Sequence, residues 1–189
     1  MSGKLIIICA PSGAGKTTIV RHILENIPGI EFSVSATNRK QRPNEIHGVD
    51  YYFMNTEDFT SKIAHDEFLE WEEVYPGTFY GTLKNEIDRI WNRGNHVIFD
   101  VDVEGGLNIK RHFGKQAMLV FVMPPSLDVL KERLLNRATE TEKSFQTRVK
   151  KAEREMDFAK HADKILVNDT LEVCLPEALV MANDFLNQA

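Results

Sequence analysis

The chain opens on a continuous apolar run, Leu5-Ile6-Ile7-Ile8-Cys9, dominated by β-branched residues. Such a run has no polar face, so it reads as a strand buried on both sides, the kind found in parallel sheets. Val97-Ile98-Phe99, Met118-Leu119-Val120-Phe121-Val122 and Ile165-Leu166-Val167 repeat the signature. Between or after these runs the apolar positions take a helical period. The segments are residues 17–27, 83–93, 127–137, 145–160 and a last one ending near residue 187. Gly94 suits a left-handed helix cap. Pro176 requires the last helix to start just before it, because proline has no N–H for an interior bond. This alternation predicts an α/β fold with a parallel sheet core flanked by helices on both faces.

Residues 30–82 break the rhythm. They hold short alternating stretches (Glu31-Phe32-Ser33-Val34-Ser35, residues 49–53 and 68–74) and one short helix near residues 58–64. They read as an inserted subdomain with a mixed or antiparallel sheet. Residues 126–156 are helical and charge-rich, with a loop at 138–143, a composition suited to a helical lid. The expected organisation is one domain over 1–189: core 1–29, 83–125 and 157–189, insertion 30–82 and lid 126–156.

Length and composition narrow this picture. The 189 residues suffice for one α/β domain with a sizeable core. Hydrophobic and charged fractions of 42% and 27% are those of a globular chain. A net charge of −5 argues against a general nucleic-acid or anionic-membrane binder, although a local basic cluster could still hold a small phosphorylated ligand. Cys9 and Cys174 lie in apolar stretches and read as small buried hydrophobes. The six histidines show no metal-ligand spacing. No secretory leader or membrane span is visible, so a cytoplasmic setting is expected.

The first chemistry lies directly after the first strand, in Ala10-Pro11-Ser12-Gly13-Ala14-Gly15-Lys16-Thr17-Thr18. Between a strand and a helix, Gly-Ala-Gly-Lys-Thr is a phosphate-binding loop. Gly13 and Gly15 permit close backbone approach, and successive N–H groups form an anion nest at a helix N-terminus. Lys16 is placed to reach the β- and γ-phosphates of a nucleotide, and the Thr17 hydroxyl to meet Mg²⁺. The first position of the pattern is Ala10 rather than glycine, which fits if its φ is not positive. Asp100 closes the run Val97-Ile98-Phe99, at the mouth where ligands bind in parallel sheets, and could hold Mg²⁺ through a water. Asp102 would share its face if the strand continued.

A second anion site is legible in the insertion. Ser35-Ala36-Thr37-Asn38-Arg39-Lys40-Gln41-Arg42-Pro43 brings two arginines and a serine together, followed by Gly48-Val49-Asp50-Tyr51-Tyr52-Phe53. Arginine forks match phosphate oxygens. The bland alternative is a solvated charged loop.

These stretches, together with Glu70-Trp71 and Phe79-Tyr80-Gly81-Thr82, resemble the GMP-binding segment of guanylate kinases. The phosphate loop and Thr139-Glu140-Thr141-Glu142 resemble other landmarks of that family, in the same order, over nearly the whole chain. The resemblance implies transfer of the γ-phosphoryl group of ATP to GMP or dGMP, with Mg²⁺. It implies no nucleic-acid, membrane or obligatory protein partner. It assigns the GMP phosphate to Arg39, Arg42, Tyr51 and Tyr80, and the guanine to Ser35, Glu70 and Thr82, with Asp100 nearby. Arg133, Arg137 and Arg148 of the lid would serve the transferring phosphoryl group, and Asn168 would lie near adenine.

The chemistry of Glu70 agrees with this. One carboxylate can accept both N1–H and N2–H of guanine, whereas adenine presents a bare N1 acceptor there. Taken alone, Glu70 reads as a solvated strand carboxylate beside a core Trp71. Two other functions stay open: a non-catalytic binding module of guanylate-kinase type, and a phosphate-loop kinase for another small phosphorylated substrate.

Overall fold

The computed structural model describes residues 3–135 and 142–188. Strand β1 (Leu5–Cys9) is buried along its whole length and leads into helix α1 (Lys16–Asn26). β2 (Ile30–Phe32) follows, then β3 (Ala36–Thr37), β4 (Tyr52–Phe53), α2 (Thr56–Ala64), β5 (Phe68–Tyr75) and β6 (Thr78–Leu83). The chain returns through α3 (Lys84–Trp91) to β7 (His96–Val101), α4 (Val103–Phe113) and β8 (Ala117–Met123). Next come α5 (Leu127–Leu135), α6 (Glu142–Met156), β9 (Lys164–Val167) and α7 (Leu171–Asn187).

Two sheets result. The core sheet is all parallel, in the order β2-β7-β1-β8-β9. Its alternating side chains feed two apolar layers, Ile6 and Ile8 on one face, Leu5, Ile7 and Cys9 on the other. The second sheet is mixed, in the order β4-β3-β6-β5: β3 and β4 are parallel, the other pairs antiparallel. It closes on its own small core of Ala36, Phe59, Phe68 and Leu83, with Phe59 stacked on Phe68 at 4.5 Å. The α/β class, the parallel core and the mixed insertion are as the sequence predicts.

Four particulars differ. Ile30–Phe32 belongs to the core sheet, pairing with β7, so the insertion begins after it and not at residue 30. Its Ile30 joins the α1 side of the core, which an excursion at residue 30 would expose. Helix α4 follows β7 at once, and Asp102 is its N-cap, accepting from Gly105 N–H at 2.8 Å, rather than a further strand residue. Pro176 lies inside α7, five residues past its start; the helix starts early because Thr170 O accepts from Val173 and Cys174 N–H. Finally, the segment expected to be a lid is rooted in the core. Leu130 and Leu134 of α5 and Val149 and Ala152 of α6 are all buried in the α1-side layer.

One polar cluster ties the insertion to the core. Glu86 on α3 is 3% exposed and accepts four hydrogen bonds. They come from Val34 N–H (3.1 Å), the Tyr52 hydroxyl (3.0 Å), and Arg89 Nε and Nη2 (3.1 and 2.7 Å). Arg89 also reaches Glu31 at 2.9 Å. Cys9 and Cys174 are both free and buried.

Candidate active site

The phosphate loop takes the form its glycines allow. Gly13 and Gly15 have φ of 92° and 95°, conformations that strain any other residue. Ala10 is not among the residues of positive φ, so alanine fits there. Lys16 Nζ donates to Ala10 O at 3.0 Å and stands 3.9 Å from Asp100 Oδ1. The Thr17 hydroxyl donates to Asp100 Oδ2 at 3.0 Å. The C-terminal end of β7 thus presents a carboxylate directly to the first turn of α1. Hydroxyl and carboxylate oxygens are the hard ligands that Mg²⁺ prefers.

Asn168 underpins the loop. Its side chain is buried and donates to Ala14 O at 2.7 Å. A Cβ on Gly15 would stand 2.3 Å from Asn168 Nδ2, so glycine is required here on two counts. Asn168 is therefore packed against the loop backbone. Arg133 is turned toward the same corner, donating to the carbonyls of Asn168 (3.1 Å) and Asp169 (3.3 Å) rather than lining the cleft. Arg137 and Thr139 to Thr141 lie outside the described residues.

A cleft of about 350 Å³ joins this loop to the insertion. Its wall includes Pro11, Ser12, Gly13, Gly15, Lys16, Thr17 and Thr18 on one side and Ser35, Arg39, Arg42, Tyr51, Glu70 and Tyr80 on the other. Asp100 and Asp102 lie between, and Arg148 and Lys151 reach the cleft from α6.

The basic side of the insertion is firmly built. Arg39 Nε donates to the Tyr80 hydroxyl at 3.0 Å, and its guanidinium lies over the rings of Tyr51 (5.0 Å) and Phe53 (5.5 Å). Glu45 grips the other end of the same guanidinium at 2.6 and 2.7 Å. Burial, then the charge of Asp100, pushes Tyr51 up to about 12, so its hydroxyl keeps a proton to donate. Arg42 is largely exposed, its side chain 68% accessible.

Glu70 is the second centre. It is 8% exposed and accepts from the Thr82 hydroxyl at 2.6 Å. Thr82 is fully buried and lies behind Glu70 rather than on the cleft wall. The alternation of β5 therefore turns Glu70 inward and leaves Trp71 42% exposed, the reverse of a solvated carboxylate beside a core tryptophan. Burial pushes Glu70 up to about 7 against the opposing Thr82 bond, with Asp102 and Glu72 adding to the rise. A Cβ on Gly105 would come within 2.7 Å of Glu70 Oε2, so α4 approaches the carboxylate closely. An inward, nearly dry carboxylate with free lone pairs suits paired N–H donors on a flat ring.

Sequence reasoning missed several groups. Glu45 was one loop carboxylate among many. Lys151 stands 3.9 Å from Asp102, 3.6 Å from Glu155 and 5.7 Å from the Tyr75 ring, bringing α6, α4 and β5 together. The capping signal at Asp102, followed by Lys110, Arg111, His112 and then Gly114, could have found α4.

The guanylate kinase family model matches residues 2–183. A guanylate kinase of Bacteroides thetaiotaomicron is 46% identical over 188 residues, covering 100% of this chain and 92% of that one. One from Salinibacter ruber is 48% identical over 184 residues, 97% of each. The crystal structure of guanylate kinase from Anaplasma phagocytophilum superposes with a TM-score of 0.81 at 24% identity, over 100% of this chain and 88% of that one. A shikimate kinase from Bacteroides thetaiotaomicron superposes at only 0.51, with 16% identity over 98% and 99% of the two chains, a likeness of fold alone. The order of the motifs along the chain and a match that runs almost from end to end agree: this chain belongs to the guanylate kinase family.

Proposed function

We propose that this chain transfers the γ-phosphoryl group of ATP to GMP, and to dGMP, giving ADP and GDP or dGDP. The observation that carries the reading is the single cleft with a phosphate loop on one wall and the Arg39–Tyr80 and Glu70–Thr82 pairs on the other.

ATP phosphates would lie in the nest of residues 10–18, with Lys16 turning from Ala10 O toward the β- and γ-oxygens. Arg39, Arg42, Tyr51 and Tyr80 would hold the GMP phosphate; Ser35 and Glu70, with Thr82 behind it, would read guanine. Phosphoryl transfer asks for charge neutralisation and alignment more than for covalent work. Lys16 supplies charge from one wall and Arg148 from α6. Arg133 would complete the set if α5 turned inward on substrate binding, and Arg137 is assigned the same role. An arginine reaching the transition state is worth about 10³–10⁵ in rate. The acceptor is a phosphate oxygen whose second pKa is near 6, so no general base is required.

Mg²⁺ fits the residues present. Thr17 Oγ1 and Asp100 Oδ2, 3.0 Å apart, would hold it directly or through water. When bound it would supply positive charge to offset that of the nucleotide phosphates. Among the described residues no helix is long and apolar enough to cross a membrane. We place the enzyme in the cytoplasm, acting on small molecules without nucleic acid, membrane or an obligatory protein partner.

The test is ADP release from ATP and Mg²⁺ with each of GMP, dGMP, AMP, UMP, CMP and TMP. Turnover confined to GMP and dGMP supports the reading. Binding of GMP without turnover would make the chain a binding module, and preference for another acceptor would make it a different kinase.

A further inference from the structure

The Arg39 guanidinium has five N–H groups in one plane. Four are already spoken for. Nε donates to the Tyr80 hydroxyl at 3.0 Å, and Nη1 donates to Lys40 O at 3.0 Å and Glu45 Oε2 at 2.7 Å. Nη2 donates to Glu45 Oε1 at 2.6 Å. The fifth N–H, also on Nη2, lies on the edge shared with Nε, beside the Tyr80 hydroxyl. Tyr80, having accepted from Nε, keeps its own proton to donate.

Glu45 could be a rival of the substrate phosphate or a brace for Arg39, and its position decides. Arg39, Arg42, Tyr51 and Tyr80 all line the cleft, but Glu45 does not. It grips the far end of the guanidinium and leaves the cleft-side edge open. The same carboxylate accepts the backbone N–H of Arg42 at 2.8 Å and faces the Arg42 guanidinium at 3.9 Å. Glu45 N–H closes the turn by donating to Arg42 O at 3.1 Å. Residues 39–45 are thus wrapped around one carboxylate. Arg39's hydrogen bonds and the Arg42 N–H hold that carboxylate at about 2, so it stays charged across the working range.

We propose that Glu45 is a positioning residue for the acceptor phosphate. It braces Arg39 from behind, so that one Nη2–H and the Tyr80 hydroxyl converge on the phosphate, and it fixes the turn that carries Arg42. The inference rests on the reading of Arg39 as a phosphate ligand. A glutamine here has a single acceptor oxygen and turns an NH₂ against a donor. It would leave the guanidinium free to rotate between its neighbours.

The test is calorimetric titration of GMP and of guanosine, without ATP, into wild type, Glu45→Gln, Glu45→Asp and Arg39→Ala. Loss of a charge-assisted brace should weaken GMP about tenfold while guanosine binding changes by less than about twofold. In steady state the KM for GMP should rise in parallel, with the KM for ATP unmoved and kcat largely kept. Aspartate, too short to span both Nη atoms and reach Arg42 N–H, should fall between. It carries the same test if the glutamine protein does not fold. Equal weakening of GMP and guanosine would mean general damage to the insertion and would overturn the proposal. So would an unchanged GMP affinity, or a tighter one, which would make Glu45 a competitor. If Arg39→Ala leaves the GMP-to-guanosine ratio unchanged, the phosphate-site reading itself fails. If Arg39→Ala changes the ratio and Glu45→Gln does not, only this inference fails.

Discussion

The Thr82 hydroxyl donates to Glu70 Oε1 at 2.6 Å, across adjacent antiparallel strands whose register pairs the two residues directly. The bond fixes the plane of a carboxylate that is otherwise nearly dry. Glu70→Gln should therefore hurt GMP selectively, because one guanine donor would then face an NH₂. The expected cost is about 2–4 kcal/mol, roughly 30- to 1000-fold in kcat/KM. The ratio of GMP to AMP specificity constants should fall, with the KM for ATP little changed. An unchanged ratio would remove Glu70 from guanine recognition.

The same residue predicts a pH effect. Glu70 is pushed up to about 7 by burial, so in the free protein it holds its proton where an exposed glutamate would not. Guanine N–H donors need the ionised form. GMP affinity should rise as pH increases from 6 to 8, and that component should vanish in Glu70→Gln, leaving only the titration of the GMP phosphate itself. Stability should move the other way. The folded form binds the proton more tightly than the unfolded form. Its contribution is therefore lost as pH rises from the ordinary glutamate value through about 7. Thermal melts of wild type and Glu70→Gln across this range check it.

Lys16→Ala and Arg39→Ala should both fold, and they should fail differently. Lys16 serves the nucleotide loop, so its loss should cut kcat by at least about 10²-fold. Arg39 serves the acceptor, so its loss should act mainly on the KM for GMP. A full steady-state analysis with each substrate varied separates the two; near-normal turnover by folded Lys16→Ala would sink the kinase reading.

Behind the phosphate loop, Asn168→Asp should destabilise the protein. The change would set a buried acceptor against the Ala14 carbonyl, 2.7 Å from the present donor. The cost is about 1–3 kcal/mol or more, a fall in Tm of several degrees, on the order of 2–4 °C per kcal/mol. Gly15→Ala should behave alike, since its Cβ would collide with Asn168 and its φ is 95°. Differential scanning calorimetry reads both.

Glu86 should govern acid tolerance. Burial alone would raise it, yet bonds from Arg89, Val34 N–H and Tyr52 hold it below the usual glutamate value. Its stabilisation is present above the unfolded value and is lost as pH falls through the lower folded value. In Glu86→Gln the acid limb of the stability curve should flatten. A limb identical to wild type would show that the cluster contributes nothing there.

Much of this was legible because it depends on local pattern. The run Leu5 to Cys9 could only be a buried strand, and Gly13 and Gly15 could only serve a strained turn. What escaped depends on tertiary direction. Nothing local tells whether Glu70 or Trp71 faces inward, since both suit a half-buried strand. The spacing of Arg133 and Arg137 predicts one shared helix face, but the carbonyls that capture Arg133 belong to Asn168 and Asp169, just past β9. Helix α4 was hidden by Gly105 and Gly106, poor helix formers; a Cβ at Gly105 would meet Glu70 Oε2 at 2.7 Å, and one at Gly106 would press on Leu119 at 3.2 Å.

The strand order also has a temporal side. β1 and β2 are not neighbours; β7 lies between them and must arrive before either has a partner on that side. Just ahead of that pairing, the bond from Lys4 N–H to His96 Nδ1 joins residues 92 apart. During synthesis, the most apolar segment of the N-terminal half must wait for the whole insertion to be made. The insertion's own small aromatic core gives it the means to collapse first. Chains of this kind fold slowly and expose sticky strands meanwhile. Refolding should accordingly show an early phase in the aromatic insertion and a later one when β7 slides into its slot.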